Sequence, residues 1–339
     1  MRCLALSAAL LSLALSACSK GSSDAAPKGP KVALLLSTLQ EERYQKDKRY
    51  FEEEARKLGL DPFTLAADND NARQLSQVED ALSRGAKVLV VQPTDSAAAA
   101  AYVAKARAAG AKIVAYDRSI EGGADFYVAH DSHEVGVLQA RAAVKATSGK
   151  GNFILLDGQS GHSVALEIRR GYLDVLKPLV DKGDIKIIVE RNHDSWSPEQ
   201  ALRTMEDAIA KSGGDIAAVL AHNSGMARGA VQAVQAGGLA GKHIFIAGAD
   251  ADAANVNHVC EGKQSVEVLK DIEPLARKAA GVAAALAGGR PVEGALAAAP
   301  GKAPMIAVEV HLITPATAKK LVIDSGFHAE KAVPSCRGK

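Results

Sequence analysis

The sequence predicts an α/β fold of two similar lobes, each built on a doubly wound parallel sheet. Three observations support this prediction. Short apolar runs alternate with helical stretches along the whole chain, polar residues follow directly after these runs in both halves, and 339 residues exceed the usual size of one hydrophobic core. Such lobes face each other across a cleft, which is a favoured place for a small ligand.

The amino terminus has the pattern of a bacterial secretion signal followed by a tether. Residues 1–17 contain an apolar stretch too short for a comfortable membrane span and end in Leu15-Ser16-Ala17-Cys18, which resembles a lipobox. Cys18 is therefore the predicted lipidation site, and residues 18–30, rich in Ser, Gly, Lys and Pro, are the predicted flexible tether. The alternative is an ordinary signal peptide with an incidental cysteine. We expect a periplasmic or cell-envelope protein that meets the membrane only through a lipid anchor.

The first half alternates between buried strands and helices. The predicted strands are Lys31–Leu36, Pro62–Ala66, Val88–Val91, Ile113–Tyr116 and Phe126–Ala129. The predicted helices are Glu41–Leu58, Ala72–Arg84 and Ser96–Ala109. Glycines follow the first two helices, as is common at helix ends. Continuous apolar strands of this kind belong to a sheet that is covered on both faces.

The second half repeats this alternation after Asp131. Its predicted strands are Phe153–Leu156, Ile185–Val189, Ala217–Ala221, Ile244–Ala247, Val266–Leu269 and Met305–Leu312. Its predicted helices are Ser132–Thr147, Val164–Asp181, Pro198–Ala210, Met226–Ala236, Pro274–Leu286 and Thr314–Asp324. The stretch Gly288–Pro304 is Gly-, Ala- and Pro-rich and is predicted to be a loop.

Polar side chains stand just after the predicted strands, where α/β sheets bind ligands. They are Asp117, Arg118, Asp131, Asn192, His193, Asp194, Asn223, Asp250 and Lys270. Together they offer the donors and acceptors that a ligand covered in hydroxyl groups requires. Three of them, Asp131, Asn223 and Asp250, precede helical sequence, so a helix-capping role is an equal alternative for each.

Two aromatic residues are candidates for stacking on a sugar ring. Trp196 is the only tryptophan and lies in a predicted loop, where an indole can cover the apolar face of a sugar. Tyr44, beside Arg43 near the start of the first helix, is a candidate for the opposite wall. The alternatives are a tryptophan that closes a loop and a tyrosine in the helix core.

The composition and motifs argue against several other functions. A formal net charge of +2 and the lack of a basic stripe argue against nucleic-acid binding. No nucleophile elbow, phosphate loop or dinucleotide fingerprint occurs, and the histidines lack metal-ligand spacing, so no catalytic residue, metal site or cofactor is predicted. Asp117 and Asp250 are poor candidates for a glycosidase pair because Arg118 favours ionisation of its neighbour. Cys260 and Cys336 remain either a disulfide pair or two buried thiols.

Five motifs give the chain a family resemblance. They are Glu42-Arg43-Tyr44-Gln45-Lys46-Asp47, Ala115-Tyr116-Asp117-Arg118, Asp194-Ser195-Trp196-Ser197-Pro198-Glu199, Ala249-Asp250-Ala251-Asp252 and Asp324-Ser325-Gly326-Phe327-His328. In type and order they resemble the D-xylose-binding group of the type I periplasmic binding proteins, which serve ABC sugar importers. The resemblance extends from about Lys31 to Phe327.

The resemblance implies two Rossmann-like lobes joined by a three-crossing hinge that closes on a monosaccharide. It implies a first lobe at 31–131 plus 271–308 and a second lobe at 132–270 plus 309–339. The implied ligand residues are Arg43, Tyr44, Lys46, Asp117, Arg118, Trp196, Asn223, Asp250 and Lys270. The two aromatic residues would enclose the sugar, and the implied partners are the permease subunits of the importer, with the protein as a monomer.

The chain also departs from the xylose-binding pattern. That pattern has an Asn ligand where Val164 stands here, an Asp where Ser224 stands, and a Trp at the position of Tyr44. We therefore expect a pentose such as D-xylose as the leading ligand, while the change at Val164 bears on which sugar is bound. A sugar-sensing receptor for chemotaxis or a histidine kinase is the alternative function, and a sugar-processing enzyme is a weaker one.

Overall fold

A computed structural model describes residues 29–296 and 302–338. The predicted signal peptide, Cys18 and all of the predicted tether before Gly29 lie outside this range. Within it, none of the helices combines the length and the apolar character that a membrane crossing demands.

The first lobe, as defined here, is the sheet that begins at the amino terminus, with its helices. Its strands are β1 (Lys31–Leu36), β2 (Asp61–Ala66), β3 (Val88–Val91), β4 (Lys112–Tyr116), β5 (Phe126–His130) and β11 (Met305–Val308), in the order β11-β5-β4-β3-β1-β2. All neighbouring strands are parallel. Its helices are α1 (Glu42–Lys57), α2 (Asn71–Ser83), α3 (Ala100–Ala108) and α9 (Ile272–Ala287). Helices α1 and α9 cover one face, and α2 and α3 cover the other.

The second lobe repeats this architecture. Its strands are β6 (Gly151–Asp157), β7 (Ile185–Asn192), β8 (Ala218–Ala221), β9 (Phe245–Ala249), β10 (Val266–Lys270) and β12 (Val310–Ile313), in the order β12-β10-β9-β8-β6-β7. Its helices are α4 (Ser132–Ala146), α5 (Ser163–Asp181), α6 (Pro198–Ser212), α7 (Ser224–Ala236) and α8 (Ala253–Glu261). Only β12 runs antiparallel to its neighbour within this sheet. The predicted fold class is confirmed.

The prediction of one continuous strand over Met305–Leu312 is wrong. Strand β11 pairs with β5 in the first sheet, whereas β12 pairs with β10 in the second, and Glu309 separates them. The apolar alternation continues through this residue, so the sequence pattern does not show that the chain changes sheets here. The chain also changes sheets between β5 and α4 and between β10 and α9, which makes three crossings. We propose the lobe bounds given above on this basis.

Helices α3 and α8 differ from the sequence prediction. Helix α3 begins at Ala100 rather than Ser96, because the Asp95 carboxylate accepts hydrogen bonds from the amides of Ala97 and Ala98 and holds a tight turn there. Helix α8 was not among the predicted elements, although it fills the connection between β9 and β10. Neither difference changes the positions of the strand ends.

The carboxyl-terminal segment packs on the second lobe. Cys260 at the end of α8 forms a disulfide with Cys336, with 5.2 Å between their Cα atoms. Val256, Val322 and Val333 are fully buried beside this bond and form a small separate core. The predicted helix over Thr314–Asp324 is only a short π-helical segment at Lys319–Asp324. The disulfide therefore fastens a segment with little regular structure of its own.

Candidate functional site

The carboxyl ends of both sheets meet at a cleft that contains two neighbouring hollows. The inner hollow, about 20 Å³, is lined by Glu41, Arg43, Tyr44, Asp117, Val164, Trp196, His222, Asn223, Asp250 and Lys270. The outer hollow, about 390 Å³, shares five of these residues and is also lined by Gln40, Glu42, Ser195, Pro198, Gly225, Arg228, Asp252 and Ala254. Both lobes contribute to each hollow.

Asp117 lies at the end of β4 and is held by donors of the first lobe. Its backbone adopts a left-handed conformation (φ 61°), which Asp tolerates better than most residues. Its carboxylate accepts hydrogen bonds from Arg43 at 3.1 Å and from Gln92 at 3.0 Å. Burial alone would raise the pKa of Asp117, but Arg43, Lys270 and Arg118 outweigh burial and hold this pKa well below its usual value. Asp117 is therefore an ionised acceptor.

Arg43 is the buried cation on which three carboxylates converge. Helix α1 places its guanidinium 3.3 Å from Asp47, 3.1 Å from Asp117 and 3.5 Å from Asp250. Burial opposes the charge of Arg43, but these carboxylates more than compensate and raise its pKa well above the usual value. Tyr116 donates a hydrogen bond to the other oxygen of Asp47. The Arg43 side chain is therefore held in place by contacts within the protein alone.

Two ion pairs cross the cleft between the lobes. Arg43 of α1 faces Asp250 of the second lobe, and Lys270, at the end of β10, lies 3.7 Å from Asp117 and 3.2 Å from Asp250. A buried charge that loses its partner costs several kcal/mol. A ligand that enters the inner hollow must therefore replace these contacts with hydrogen bonds of its own.

Tyr44 and Arg118 form a second set of contacts in the first lobe. The Tyr44 hydroxyl accepts hydrogen bonds from Gln92 at 3.2 Å and from Arg118 at 3.3 Å. Arg118 also donates to the carbonyl of Pro93 at 3.1 Å. Its Nε is buried and has no hydrogen-bond partner among the described residues. The tyrosine ring is thus held at the cleft rather than within the helix core alone.

Trp196 projects into the cleft from a strained turn of the second lobe. Ser195 and Trp196 both have positive φ values, 53° and 57°, a conformation that is costly for bulky side chains and is concentrated at functional sites. The ring packs so closely on Gly158 that a Cβ atom there would lie 2.5 Å from it. The indole Nε1 donates a hydrogen bond of 2.7 Å to His162. Trp196 is 8% exposed, and the orientation of its ring is well defined.

The sequence left a helix-capping role open for Asp131, Asn223 and Asp250, and the structure shows such a cap at the first two only. Asp131 caps α4 by accepting from the amide of Glu134 at 3.0 Å. Asn223 caps α7 through its Oδ1, which leaves Nδ2 available to the cleft. Asp250 caps no helix, since α8 begins after Asp252. Capping and ligand binding are therefore compatible at Asn223.

A family model and two relatives of known description match most of this chain. The family model described as "periplasmic binding protein domain" matches residues 32–291. The chain belongs to the periplasmic binding protein family. It is 37% identical to the D-xylose-binding periplasmic protein of Escherichia coli, covering 89% of this chain and 92% of that protein. It is 35% identical to the protein of the same name from Haemophilus influenzae, covering 92% and 94% of the two chains.

Solved structures of periplasmic binding proteins share the two-lobed architecture. A carbohydrate transporter solute-binding protein from Chloroflexus aurantiacus, in complex with D-glucose, superposes with a TM-score of 0.81 at 29% identity, covering 89% of this chain and 97% of that chain. An ABC transporter solute-binding protein from Clostridium phytofermentans, with bound β-D-glucose, gives 0.83 at 27% identity, covering 89% and 99%. The family resemblance and the type I fold are both confirmed.

Seven of the nine predicted ligand residues line the inner hollow. They are Arg43, Tyr44, Asp117, Trp196, Asn223, Asp250 and Lys270. Arg118 lies behind Tyr44, as described above. Lys46 lines neither the inner nor the outer hollow: its ammonium group sits 4.3 Å from the ring centre of Phe327 and 3.4 Å from that residue's carbonyl oxygen. It is one turn along α1 from Arg43 and faces the carboxyl-terminal segment instead.

Several residues at the cleft were not singled out from the sequence. Glu41 lines both hollows, and its Oε2 is buried without a hydrogen-bond partner among the described residues. Burial raises its pKa, although Arg118 opposes this. His222 lines the inner hollow, accepts a hydrogen bond from the amide of Gly158 and lies 3.0 Å from Asp157. His222 follows β8 directly, so its position after a strand could have identified it as a cleft residue from the sequence. Gln92 follows β3 directly and carries the same signal, whereas His162 precedes α5 and follows no strand.

No group of three or more His, Cys, Asp or Glu side chains is arranged to hold a metal ion within residues 29–296 and 302–338. The converging carboxylates at Arg43 are instead neutralised by basic side chains. The chemistry that this cleft of a periplasmic binding protein supports is reversible binding through charged and amide hydrogen-bonding groups.

Proposed function

We propose that this protein is the lipid-anchored substrate-binding protein of an ABC sugar importer and that it binds a neutral monosaccharide, with D-xylose as the leading ligand. The observation on which this proposal depends is the cleft itself. One wall presents Asp117 and Arg43, and the facing wall presents Trp196 and Asn223. An aromatic face and ionised hydrogen-bonding groups match the two kinds of surface that a sugar ring has.

The charges in the inner hollow favour a neutral ligand over an anionic one. Three carboxylates, those of Glu41, Asp117 and Asp250, line it together with the cations of Arg43 and Lys270. A sugar acid would add a further negative charge to this set, whereas hydroxyl groups can donate to the carboxylates and accept from the cations. Hydrogen bonds to charged groups contribute about 1.5–3 kcal/mol each. A few of them reach the roughly −8 kcal/mol of micromolar binding even after the cost of association.

The relatives support a pentose in particular. Two relatives that are 35–37% identical over most of the chain are named D-xylose-binding periplasmic proteins. Val164 lines the inner hollow where the xylose-binding pattern has an amide, so one hydroxyl would lack that partner. Glu41 lies in the same hollow, and we propose it as an additional acceptor for a ligand hydroxyl.

Closure of the two lobes is the proposed mechanism. A sugar first meets the groups that the first lobe holds ready, and contacts from the second lobe then favour the closed form. The membrane subunits of the importer recognise this form. No covalent bond is made or broken in this cycle. Acylation of Cys18 would keep the protein at the membrane, with residues 18–30 as the tether.

A thermal-shift screen tests this proposal most simply. A ligand that binds only the folded state raises the unfolding midpoint. We expect pentoses, with D-xylose first, to raise the midpoint more than hexoses or polyols, and sugar acids to have no effect. A response to sugar acids alone, or to no sugar at all, would contradict the proposal. Mass spectrometry of the mature amino terminus tests acylation of Cys18 separately.

A further inference from the structure

His162 bridges the two lobes and also contacts the aromatic wall of the cleft. It precedes α5 in the second lobe and is 1% exposed. Its Nδ1 accepts a hydrogen bond from the indole Nε1 of Trp196 at 2.7 Å, and its Nε2 lies 2.5 Å from the carbonyl oxygen of Thr94 in the first lobe. One imidazole ring thus connects Trp196 to the opposite lobe.

These two contacts allow only one form of the ring. An indole nitrogen can only donate, so Nδ1 of His162 must be unprotonated to accept from Trp196. A carbonyl oxygen can only accept, so Nε2 must bear the proton that it shares with Thr94. Burial, with Arg118 nearby, lowers the pKa of His162 to about 2, and the ring is neutral. The carbonyl of Thr94 therefore selects the tautomer that can hold Trp196.

The carbonyl of Thr94 is itself held in place. The amide of Thr94 donates to the Gln74 side chain at 2.9 Å, and that side chain donates to the carbonyl of Gln92 at 2.8 Å. Gln92 in turn contacts Asp117. The acceptor that fixes His162 belongs to the same hydrogen-bond network as the ligand groups of the first lobe.

The contacts beside His162 also depend on the two lobes being together. Ser119 donates its amide hydrogen to the Ser163 hydroxyl at 2.8 Å, and the Ser163 amide donates to the Ser96 hydroxyl at 3.3 Å. None of the atoms in these bonds belongs to Trp196. They join the lobes at the same edge of the cleft. A variant that removes one of them therefore serves as a control for variants of His162.

We propose that His162 is a positioning residue that couples the orientation of Trp196 to closure of the lobes. When the lobes are together, Thr94 fixes the His162 tautomer, and His162 fixes the indole ring against the ligand. When they separate, His162 loses the acceptor at Nε2 and the hydrogen bond that fixes the edge of the Trp196 ring weakens, while the ring still packs on Gly158 of its own lobe. The aromatic wall is then complete only in the closed form. This inference depends on the proposed sugar-binding function.

The single tryptophan provides a direct spectroscopic test. With ¹⁵N-labelled tryptophan, the indole N–H gives one signal, which a hydrogen bond to imidazole shifts downfield and protects from exchange with water. We expect saturating D-xylose to shift and protect this signal in the wild-type protein. The same titrations, followed by calorimetry, give the affinity.

Three variants separate positioning from a general structural role. His162→Phe keeps a ring but removes both hydrogen bonds, and we expect at least a tenfold loss of affinity and an unshifted, exchanging indole signal even at saturation. His162→Asn keeps an acceptor near the position of Nδ1 but cannot reach Thr94. For this variant we expect weaker binding and a smaller downfield shift than in the wild type at saturation, because the contact with Thr94 across the cleft is lost. Ser163→Ala is the matched control, with weaker binding and an unchanged indole signal at saturation.

The outcomes distinguish this inference from the proposed function. A wild-type protein that responds to no sugar overturns both. A wild-type protein that binds sugar, together with an indole signal that is the same with and without sugar or unchanged in His162→Phe, overturns the coupling alone. Should His162→Phe fail to fold, as judged by its unliganded spectrum, the other two variants decide. Indole shifts and affinities equal to those of the wild type in both His162→Asn and Ser163→Ala overturn the inference.

Discussion

The two walls of the cleft are built on different principles. In the first lobe, the ligand groups pair with one another: Asp117 is held by Arg43 and Gln92, and Tyr44 by Gln92 and Arg118. In the second lobe, Asp250 has its close cations in Arg43 and Lys270, while the ring of Trp196 depends on a histidine that bonds across the cleft. The polar groups of the first wall have hydrogen-bond partners within their own lobe, whereas the histidine that holds Trp196 in the second wall makes its other hydrogen bond to the first lobe.

This difference suggests an order of events. A preorganised polar wall can bind a sugar without reorganising, and preorganisation is what limits the cost of binding. The second wall adds its contacts as the lobes come together, so its contribution depends on closure. Substitutions in the first wall should therefore affect the initial encounter, and those in the second wall should affect how long the sugar stays.

The largest effect is expected from Asp117→Asn. This change keeps the shape of the side chain but removes the charge that faces Arg43 and Lys270. Because hydrogen bonds to charged groups contribute about 1.5–3 kcal/mol, we expect the dissociation constant for D-xylose to rise by roughly 10–150-fold. Calorimetric titration measures it. Asp131→Asn, at an exposed helix cap outside the hollows, is the control and should bind as the wild type does. Equal affinity in both variants would contradict the role of the first wall.

Trp196→Leu tests the second wall. It removes the aromatic face and the hydrogen bond to His162 while retaining an apolar side chain. We expect affinity to fall by about tenfold, with the change mainly in the dissociation rate, because affinity differences within one site lie mostly there. Stopped-flow kinetics of sugar release would show it. The matched variant in the first wall, Tyr44→Phe, keeps its ring and should have the smaller effect. A larger loss in Tyr44→Phe would reverse the comparison.

Glu41 offers a finer test of specificity. Its buried Oε2 has no partner among the described residues, although it faces both hollows. If it accepts a bond from a ligand hydroxyl, Glu41→Gln should weaken D-xylose binding by about three- to tenfold, the effect of one modest hydrogen bond. Glu53→Gln, at an exposed position on the same helix outside both hollows, should change affinity less than about twofold. Unchanged affinity for every sugar in Glu41→Gln would remove Glu41 from the site.

We expect Glu267 of the second lobe to make the stability of the protein depend on pH. Glu267 on β10 is fully buried, and burial raises its pKa to about 8 although Gln264 donates to it. The folded protein then keeps a proton that the unfolded chain releases near the ordinary value of 4.5. Between these values the folded state binds more protons, so raising the pH lowers the free energy of unfolding, by up to about 1.4 kcal/mol per pH unit.

Glu267→Gln cannot titrate and should lose this contribution. Urea unfolding of both proteins at several pH values measures the difference in slope between about pH 5 and pH 8. The first lobe offers the opposite case, since the depressed pKa of Asp117 gives stability that is lost only at strongly acidic pH. Identical slopes for wild type and variant in the neutral range would show that Glu267 is ionised when folded.

Sequence patterns predicted the strands well because parallel strands are short, continuous apolar runs. They also predicted which residues follow the strands, and so most of the cleft, including Asp117, Asn223 and Asp250. They did not show that the chain changes sheets at Glu309, because one alternating pattern fits a strand in either sheet. Lys46 shows a second limit. It lies three residues from Arg43 on α1 but points to Phe327, and motif membership does not define direction.

Long-range hydrogen-bond networks were the other part that the sequence left open. Glu41 and His162 both occupy helix-start positions, where a structural role is the ordinary expectation. The function suggested for each depends on partners that are distant in sequence, such as Thr94 for His162. Cys260 and Cys336 are similar, since their separation of 76 residues allowed either a bond or free thiols until the structure joined them.

The most direct test of this account is a crystal structure of the protein with D-xylose. We predict one sugar between the lobes, with a hydroxyl group bonded to Asp117 of the first wall and the ring against Trp196 of the second. A sugar bound outside the cleft that the two hollows form, or one that touches only a single lobe, would contradict it.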